Sequence, residues 1–141
     1  MNQQAIENIQ EIERGILGAV ILETRSAYSQ VGDLLEPAHF RTEKYAKIWQ
    51  ALRDMDSEGL SIDYLSVTNR LVNKCGFPQV GTAYEVGTLI NNVNQAGNIV
   101  THAYILKQDY IQRKLMSIGS MLVAKANDPT NDPLEMLSDV S

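Results

Sequence analysis

Between Asn94 and Asn127 the chain carries no proline, and apolar residues recur three or four apart along the whole stretch. Ile99, Ala103, Leu106 and Tyr110 make one stripe, and Ile111, Leu115, Ile118 and Leu122 continue it in a shifted phase. This spacing predicts one helix of about thirty residues, roughly 45 Å long at 1.5 Å per residue. Such a helix is longer than the preceding part of the chain needs, so it is expected to project. The run Asn127-Asp128-Pro129-Thr130-Asn131-Asp132-Pro133 then reads as a tight polar reversal. Beyond it Leu134, Leu137 and Val140 begin a new apolar face. Two readings stand: a helical hairpin whose second arm is cut short at Ser141, or a natural short C-terminal helix.

The same periodicity runs through the rest of the chain. From Ile6, apolar residues fall at Ile9, Ile12, Ile16 and Val20, and Leu17 and Ile21 widen the stripe, which predicts a helix in the middle of the fold. Gly15 and Gly18 each weaken that helix by up to about 1 kcal/mol relative to alanine. A close helix crossing would offset the loss; chance placement is the alternative. A shorter helix is expected over Ser26 to Leu35, ended by Pro37. Thr42 is placed to cap a third, with Tyr45, Ile48, Trp49, Leu52 and Met55 inward and Gly59 as its left-handed stop. Asp63 is a cap for a fourth, with Leu65, Leu71 and Val72 inward and Gly76 closing it. A fifth runs from Thr82 to about Val93 and buries Val86, Leu89 and Ile90. No segment alternates over strand length. The expected class is all-α: a compact multi-helix head over 1–94, then a long helix and the start of a second forming a truncated hairpin over 95–141.

Several function classes are excluded or disfavoured by simple counts. The net charge of −5 argues against a strong direct grip on nucleic acid, which depends on neutralising phosphates. No run of about eighteen apolar residues is present to cross a membrane, and the N-terminus lacks the basic-then-apolar pattern of a signal peptide. A single cysteine, Cys75, forms no internal disulfide, so a cytoplasmic setting is expected. None of the nine glycines precedes a lysine, so no phosphate-binding G-x-x-x-x-G-K-[ST] loop occurs and no nucleotide cofactor is expected here.

Individual reactive residues have plain readings. His39 and His102 lack a second ligand at metal spacing, so His39 is expected to pack in its loop and no metal site is expected. Cys75, with no histidine nearby, reads as a packed thiol. Glu11 and Glu13 lie two residues apart on a helix and point apart, which suits a solvated face better than acid–base work. Lys107, Arg113 and Lys114 are interrupted by Asp109 and read as a solvated helix face. No catalytic set emerges. Tyr84, Tyr104 and Tyr110 are the more informative residues, because tyrosine joins apolar area to one polar handle and suits interfaces. Tyr110 can pack within the monomer or against a partner.

Longer segments resemble one family. Glu11 to Leu22 (EIERGILGAVIL) is similar to that family's E-x-E-x-x-[VI]-L-G-x-[LIV]-[LIV]-L opening, and Asp33 to Phe40 (DLLEPAHF) to D-L-L-x-P-x-[DH]-F. Ile48 to Leu52 (IWQAL), Ser61 to Leu71 (SIDYLSVTNRL), GTAYEVGTLI and Asn98 to Leu115 follow in the family's order. On this ordered set the chain resembles the N-terminal domain of DnaB-type replicative DNA helicases. It departs at Tyr45, where histidine is frequent, at Val80, where a second glycine is common, and in the proline-free VNQAGNI around Asn94.

The resemblance implies a collar on a hexameric ring, built as a trimer of dimers through heads and hairpins. It implies docking of the C-terminal helicase-binding domain of primase and, in some systems, of a helicase loader. ATP and Mg²⁺ would belong to a RecA-like C-terminal domain absent from this sequence. The expected role is therefore non-catalytic assembly and partner docking. Its expected interface residues are Tyr84, Tyr104, Tyr110, Ile111, Leu115, Ile118, Leu122, Leu134 and Leu137. The rival reading is a small helical DNA-binding regulator using the Asp63 to Gly76 helix, where Arg70 and Lys74 supply the only positive charge.

Overall fold

A computed structural model describes residues 2–93 and 98–140. Among these residues there are seven α-helices and no strand: α1 (Gln3–Leu22), α2 (Thr24–Val31), α3 (Glu43–Ser57), α4 (Tyr64–Lys74), α5 (Thr82–Asn91), α6 (Ile99–Asn127) and α7 (Pro133–Val140), with a 3-10 turn at Pro37–His39. The chain divides into two compact units between Tyr110 and Ile111, within α6. The boundary expected at 94/95, with the Asn94 motif departure, lies outside the described residues. Ile99, Ala103, Leu106 and Asp109 of α6 are buried and belong to the first unit.

In the first unit α1 packs against α2, α3, α4 and α5, the central place its two apolar faces require. Gly18 makes the α1–α5 crossing: a Cβ there would overlap the Leu89 carbonyl and stand 2.9 Å from Val93 Cγ2. A Cβ at Gly15 would meet nothing within 4 Å, so only one glycine of the pair serves the crossing. Trp49 is fully buried, its indole N–H donates to the Leu35 carbonyl at 3.2 Å, and the rings of Tyr28 and Phe40 flank it.

Local punctuation agrees with chemistry at several points. Gly59 (φ +73°) and Gly76 (φ +77°) adopt the left-handed conformation that ends α3 and α4. Asp63 caps α4, its carboxylate accepting from the Ser66 N–H at 2.9 Å while Ser66 Oγ accepts from the Asp63 N–H at 3.0 Å.

Tertiary packing overrides the local expectation elsewhere. The second helix ends at Val31, short of Leu35, and Pro37 opens the 3-10 turn instead of merely stopping a helix. Leu65 is 72% exposed, and Val67 takes the inward place beside Leu71 because the packed face of α4 is set by α3 and α5. Thr42 precedes α3 without a side-chain cap bond; its hydroxyl donates to Glu13 Oε1 at 2.8 Å. Glu13 is therefore no solvated carboxylate. It is fully buried, its other oxygen accepting from the Thr42 N–H at 3.2 Å, while Glu11 stays outside in an ion pair with Arg14.

The second unit holds the end of α6, the reversal and α7. Asp128 accepts from the Thr130 N–H and hydroxyl, Asn131 Nδ2 donates to the Lys125 carbonyl, and Asp132 accepts from the Leu134 N–H at the start of α7. The polar run from Asn127 to Pro133 supplies the turn chemistry directly.

Candidate interaction surface

The apolar residues of the second unit are largely exposed. Ile111, Leu115, Ile118 and Leu122 all face solvent, as do Met116, Met121 and Val123, with Leu115 at 62%. Ile118, Met121, Leu122 and Lys125 line one cleft with Met136, Asp139 and Val140 of α7. At about 100° per residue, the line through Leu115, Gly119 and Val123, flanked by Met116, lies roughly a third of a turn from that cleft. A Cβ on Gly119 would meet nothing within 4 Å. This face is apolar, uncovered, and open to close approach at its centre.

Leu134 and Leu137 are exposed on α7, whereas Met136 is half-buried. The apolar face of α7 is thus split: Met136 and Val140 line the cleft, and the two leucines turn outward. Sequence spacing pointed to the leucines and missed Met136, although its i, i+4 relation to Val140 marks a helix face.

In the first unit the three tyrosines separate. Tyr110 is half-buried, its ring edge-on to His39 with centroids 5.1 Å apart, so it belongs to the head's own packing. His39 in turn accepts the Glu36 N–H on Nδ1 at 2.9 Å, which fixes the turn before α3. Asp109, one residue earlier, is buried and takes two guanidinium hydrogen bonds from Arg41, at 3.0 and 3.4 Å. Tyr104 is exposed beneath Lys107, whose Nζ lies 5.9 Å from the ring centroid.

Tyr84 is 82% exposed on α5, and Val80 in the preceding turn is exposed as well. Tyr64 and Leu65 are also exposed, and a Cβ at Gly87 would meet the Tyr64 ring at 3.5 Å, so the Tyr64 ring of α4 lies against α5. Thr68 and Thr88 turn their hydroxyls back to the Tyr64 and Tyr84 carbonyls. Two charged residues of these helices are held in ion pairs: Glu85 with Lys44, and Arg70 with Glu58 at 2.6 Å. The result is an exposed aromatic surface of which the sequence marked only Tyr84.

The structure offers little to the rival reading. Arg70, the main charge of its recognition helix, is 15% exposed and held by Glu58, which raises the guanidinium pKa further. Arg113 and Lys114 both have interaction partners. Cys75 packs against the core, and burial raises its thiol pKa, the opposite of nucleophile activation. Among the described residues no helix is long and apolar enough to cross a membrane, and no three of His, Cys, Asp and Glu cluster as metal ligands.

Comparison with known proteins places this architecture. The family model for the DnaB-like helicase N terminal domain matches residues 5–108. The replicative DNA helicase DnaB of Rhodothermus marinus is 28% identical over 130 residues, which are 92% of this chain and 14% of that protein. The replicative DNA helicase DnaC of Bacillus subtilis is 26% identical over 129 residues, or 92% of this chain and 28% of that protein. The chain thus spans under a third of the length of these relatives. Among solved structures, the N-terminal domain of Mycobacterium tuberculosis DnaB superposes with a TM-score of 0.79 at 23% identity, covering 92% of this chain and 91% of that one. The corresponding Helicobacter pylori domain gives 0.76 at 18% identity, covering 91% and 100%. The match over most of the chain, together with the all-helical fold, shows that this chain belongs to the DnaB-like helicase N-terminal domain family.

Proposed function

We propose that this chain is a non-catalytic assembly and docking domain of a DnaB-type replicative helicase, acting in DNA replication. The carrying observation is the uncovered apolar face of the second unit, along Leu115, Met116, Gly119 and Val123. Exposed apolar area on this scale marks an interaction site. Its occupant in this reading is the same face of a second copy: the face carries no charge, so two copies of a chain with net charge −5 meet where repulsion is least. The sequence contains no phosphate-binding loop, so ATP and Mg²⁺ are assigned to another part of the parent helicase.

The aromatic face around Tyr64 and Tyr84 is assigned to primase, with a helicase loader as a further partner in some systems. The H. pylori relative is described with its interactions with primase, which supports primase as a partner; the choice of face rests on its exposed aromatic residues. Sedimentation over a wide concentration range tests self-association. The unaltered chain should pass from monomer to dimer, and Val123→Asp should remain monomeric at every concentration. A strict monomer from the unaltered chain would sink this part of the reading. Capture by the cognate primase C-terminal domain, lost in Tyr84→Ala and kept in Val123→Asp, tests the other part.

A further inference from the structure

On the first unit an open groove runs from the corner between α1 and α2 to α4, in two connected parts. One part, of about 730 Å³, is lined at the corner by Leu22, Thr24, Arg25 and Ser26. The other, of about 340 Å³, is lined on α4 by Ser66, Asn69, Arg70, Asn73 and Lys74. Leu60 and Ser61 line both parts, so the two meet across the segment between α3 and α4. That segment is pinned from both sides: Ser66 Oγ donates to the Ser61 carbonyl at 2.7 Å, and the Thr24 hydroxyl reaches the Ile62 carbonyl at 3.3 Å. Arg70 closes on Glu58 at 2.6 Å and ties α4 to the end of α3. The groove is therefore formed before any occupant arrives, which lowers the cost of binding. At about 100° per residue, Asn69 and Asn73 lie roughly 140–180° around α4 from Tyr64, so this groove is separate from the aromatic face.

Asn69 and Asn73 are exposed one turn apart, about 6 Å along the helix axis. Alternate residues of an extended chain repeat at roughly 6.5 Å and turn their N–H and C=O to the same side. Each asparagine carries an acceptor oxygen and a donor nitrogen, so each can bond both groups of one such residue. Charge selects the kind of peptide. Arg25, Arg70 and Lys74 line the groove against Glu23 alone, in a chain whose net charge is −5. Among the described residues Arg70 is held by Glu58, whereas neither Arg25 nor Lys74 stands in an ion pair. Leu60, 50% exposed where the two parts meet, supplies an apolar contact between them.

We propose that this groove binds an extended acidic segment of a partner protein. Its main chain pairs with Asn69 and Asn73, its carboxylates meet Arg25 and Lys74, and an apolar side chain covers Leu60. In such binding the main-chain hydrogen bonds supply affinity and the alternate side chains supply specificity. Nucleic acid suits the groove less well, because its grip grows with the number of phosphates neutralised and only two cations here are unpaired. The inference is independent of self-association through α6 and of the aromatic face.

The test is an NMR titration of the isotope-labelled full chain with a blocked octapeptide that alternates aspartate with threonine around one central leucine. Shifts are expected in residues 22–26, 60–62 and 66–74, including the side-chain amides of Asn69 and Asn73. The same peptide with asparagine for every aspartate should bind at least about tenfold more weakly. Asn69→Ala with Asn73→Ala, and separately Lys74→Glu, should each weaken binding about tenfold or more, while Tyr84→Ala leaves it within about twofold. All three positions on α4 are exposed, so unfolding midpoints near the parent's will show that the variants fold. Absence of shifts in the groove would overturn the proposal, as would equal binding of the two peptides or parent-like binding by the double alanine variant. So would larger shifts of the same resonances with oligothymidylate, or shifts there on raising the protein concentration alone, which would mark a nucleic acid or a second copy as the occupant.

Discussion

Glu13 Oε1 accepts the Thr42 hydroxyl at 2.8 Å while Glu13 Oε2 accepts the Thr42 backbone N–H at 3.2 Å. One fully buried carboxylate thereby joins the middle of α1 to the start of α3. Glu13→Ala should cost about 3 kcal/mol, because it strips a partner from two donors and leaves a cavity. Glu13→Gln keeps one acceptor and should cost roughly half as much. Thermal or denaturant unfolding checks both, and equal stability of Glu13→Ala and the parent would contradict the role assigned here.

The two glycines of α1 should respond in opposite directions. Gly18→Ala pushes a methyl into the Leu89 carbonyl and should cost more than about 3 kcal/mol, or prevent folding. Gly15→Ala meets open space inside a helix and should add about 0.5–1 kcal/mol. Urea midpoints of the two variants, compared with the parent, decide the matter.

Arg41 and Asp109 hold the first part of α6 on the head. Replacing Arg41 by Ala leaves a nearly buried carboxylate without its guanidinium, at a cost of about 2–3 kcal/mol, the low end for buried pairs since Arg41 is 23% exposed. The double replacement Arg41→Met with Asp109→Leu should recover most of that loss, because an apolar pair needs no desolvation of charge. A double-mutant cycle measures the coupling. Stability of the double variant below that of the single one would refute the argument.

The Asp63 cap gives the stability a pH dependence of defined sign. The Ser66 backbone N–H, as the main cause, lowers the Asp63 carboxyl pKa below the ordinary aspartate value near 3.9. A depressed folded value means stability that is present above the unfolded pKa and is lost as pH falls through the folded one. Asp63→Asn should therefore flatten the stability profile below about pH 4. Near neutral pH, Asp63→Ala should cost about 1 kcal/mol from loss of the cap itself. Unfolding curves at pH 7 and at pH 3 separate the two effects.

How far the sequence could be read depended on how local each feature is. Gly59, Gly76 and Asp63 were legible because backbone handedness and capping involve only a few neighbouring residues. The exposed stripe of Ile111, Leu115, Ile118 and Leu122 was legible for the same reason, from spacing alone. Leu65 and Val67 show the limit. Both are apolar within one turn, and only the position of neighbouring helices decided that Val67 faces inward and Leu65 outward. Met136 was missed in the same way, since either face of an eight-residue helix can turn toward a partner.

By itself, then, the sequence determined an all-α chain, the reversal after Asn127, and the family. Helical period, proline placement and turn chemistry act over a few residues and are written directly in residue order. Only the tertiary structure decided that Gly18 and not Gly15 makes the crossing, that Glu13 is buried, that Tyr110 belongs to the head, and that α7 presents Met136 to α6. Each of these depends on which partner arrives from far along the chain. A carboxylate such as Glu13 is solvated or buried according to whether a Thr42 is brought within hydrogen-bond reach.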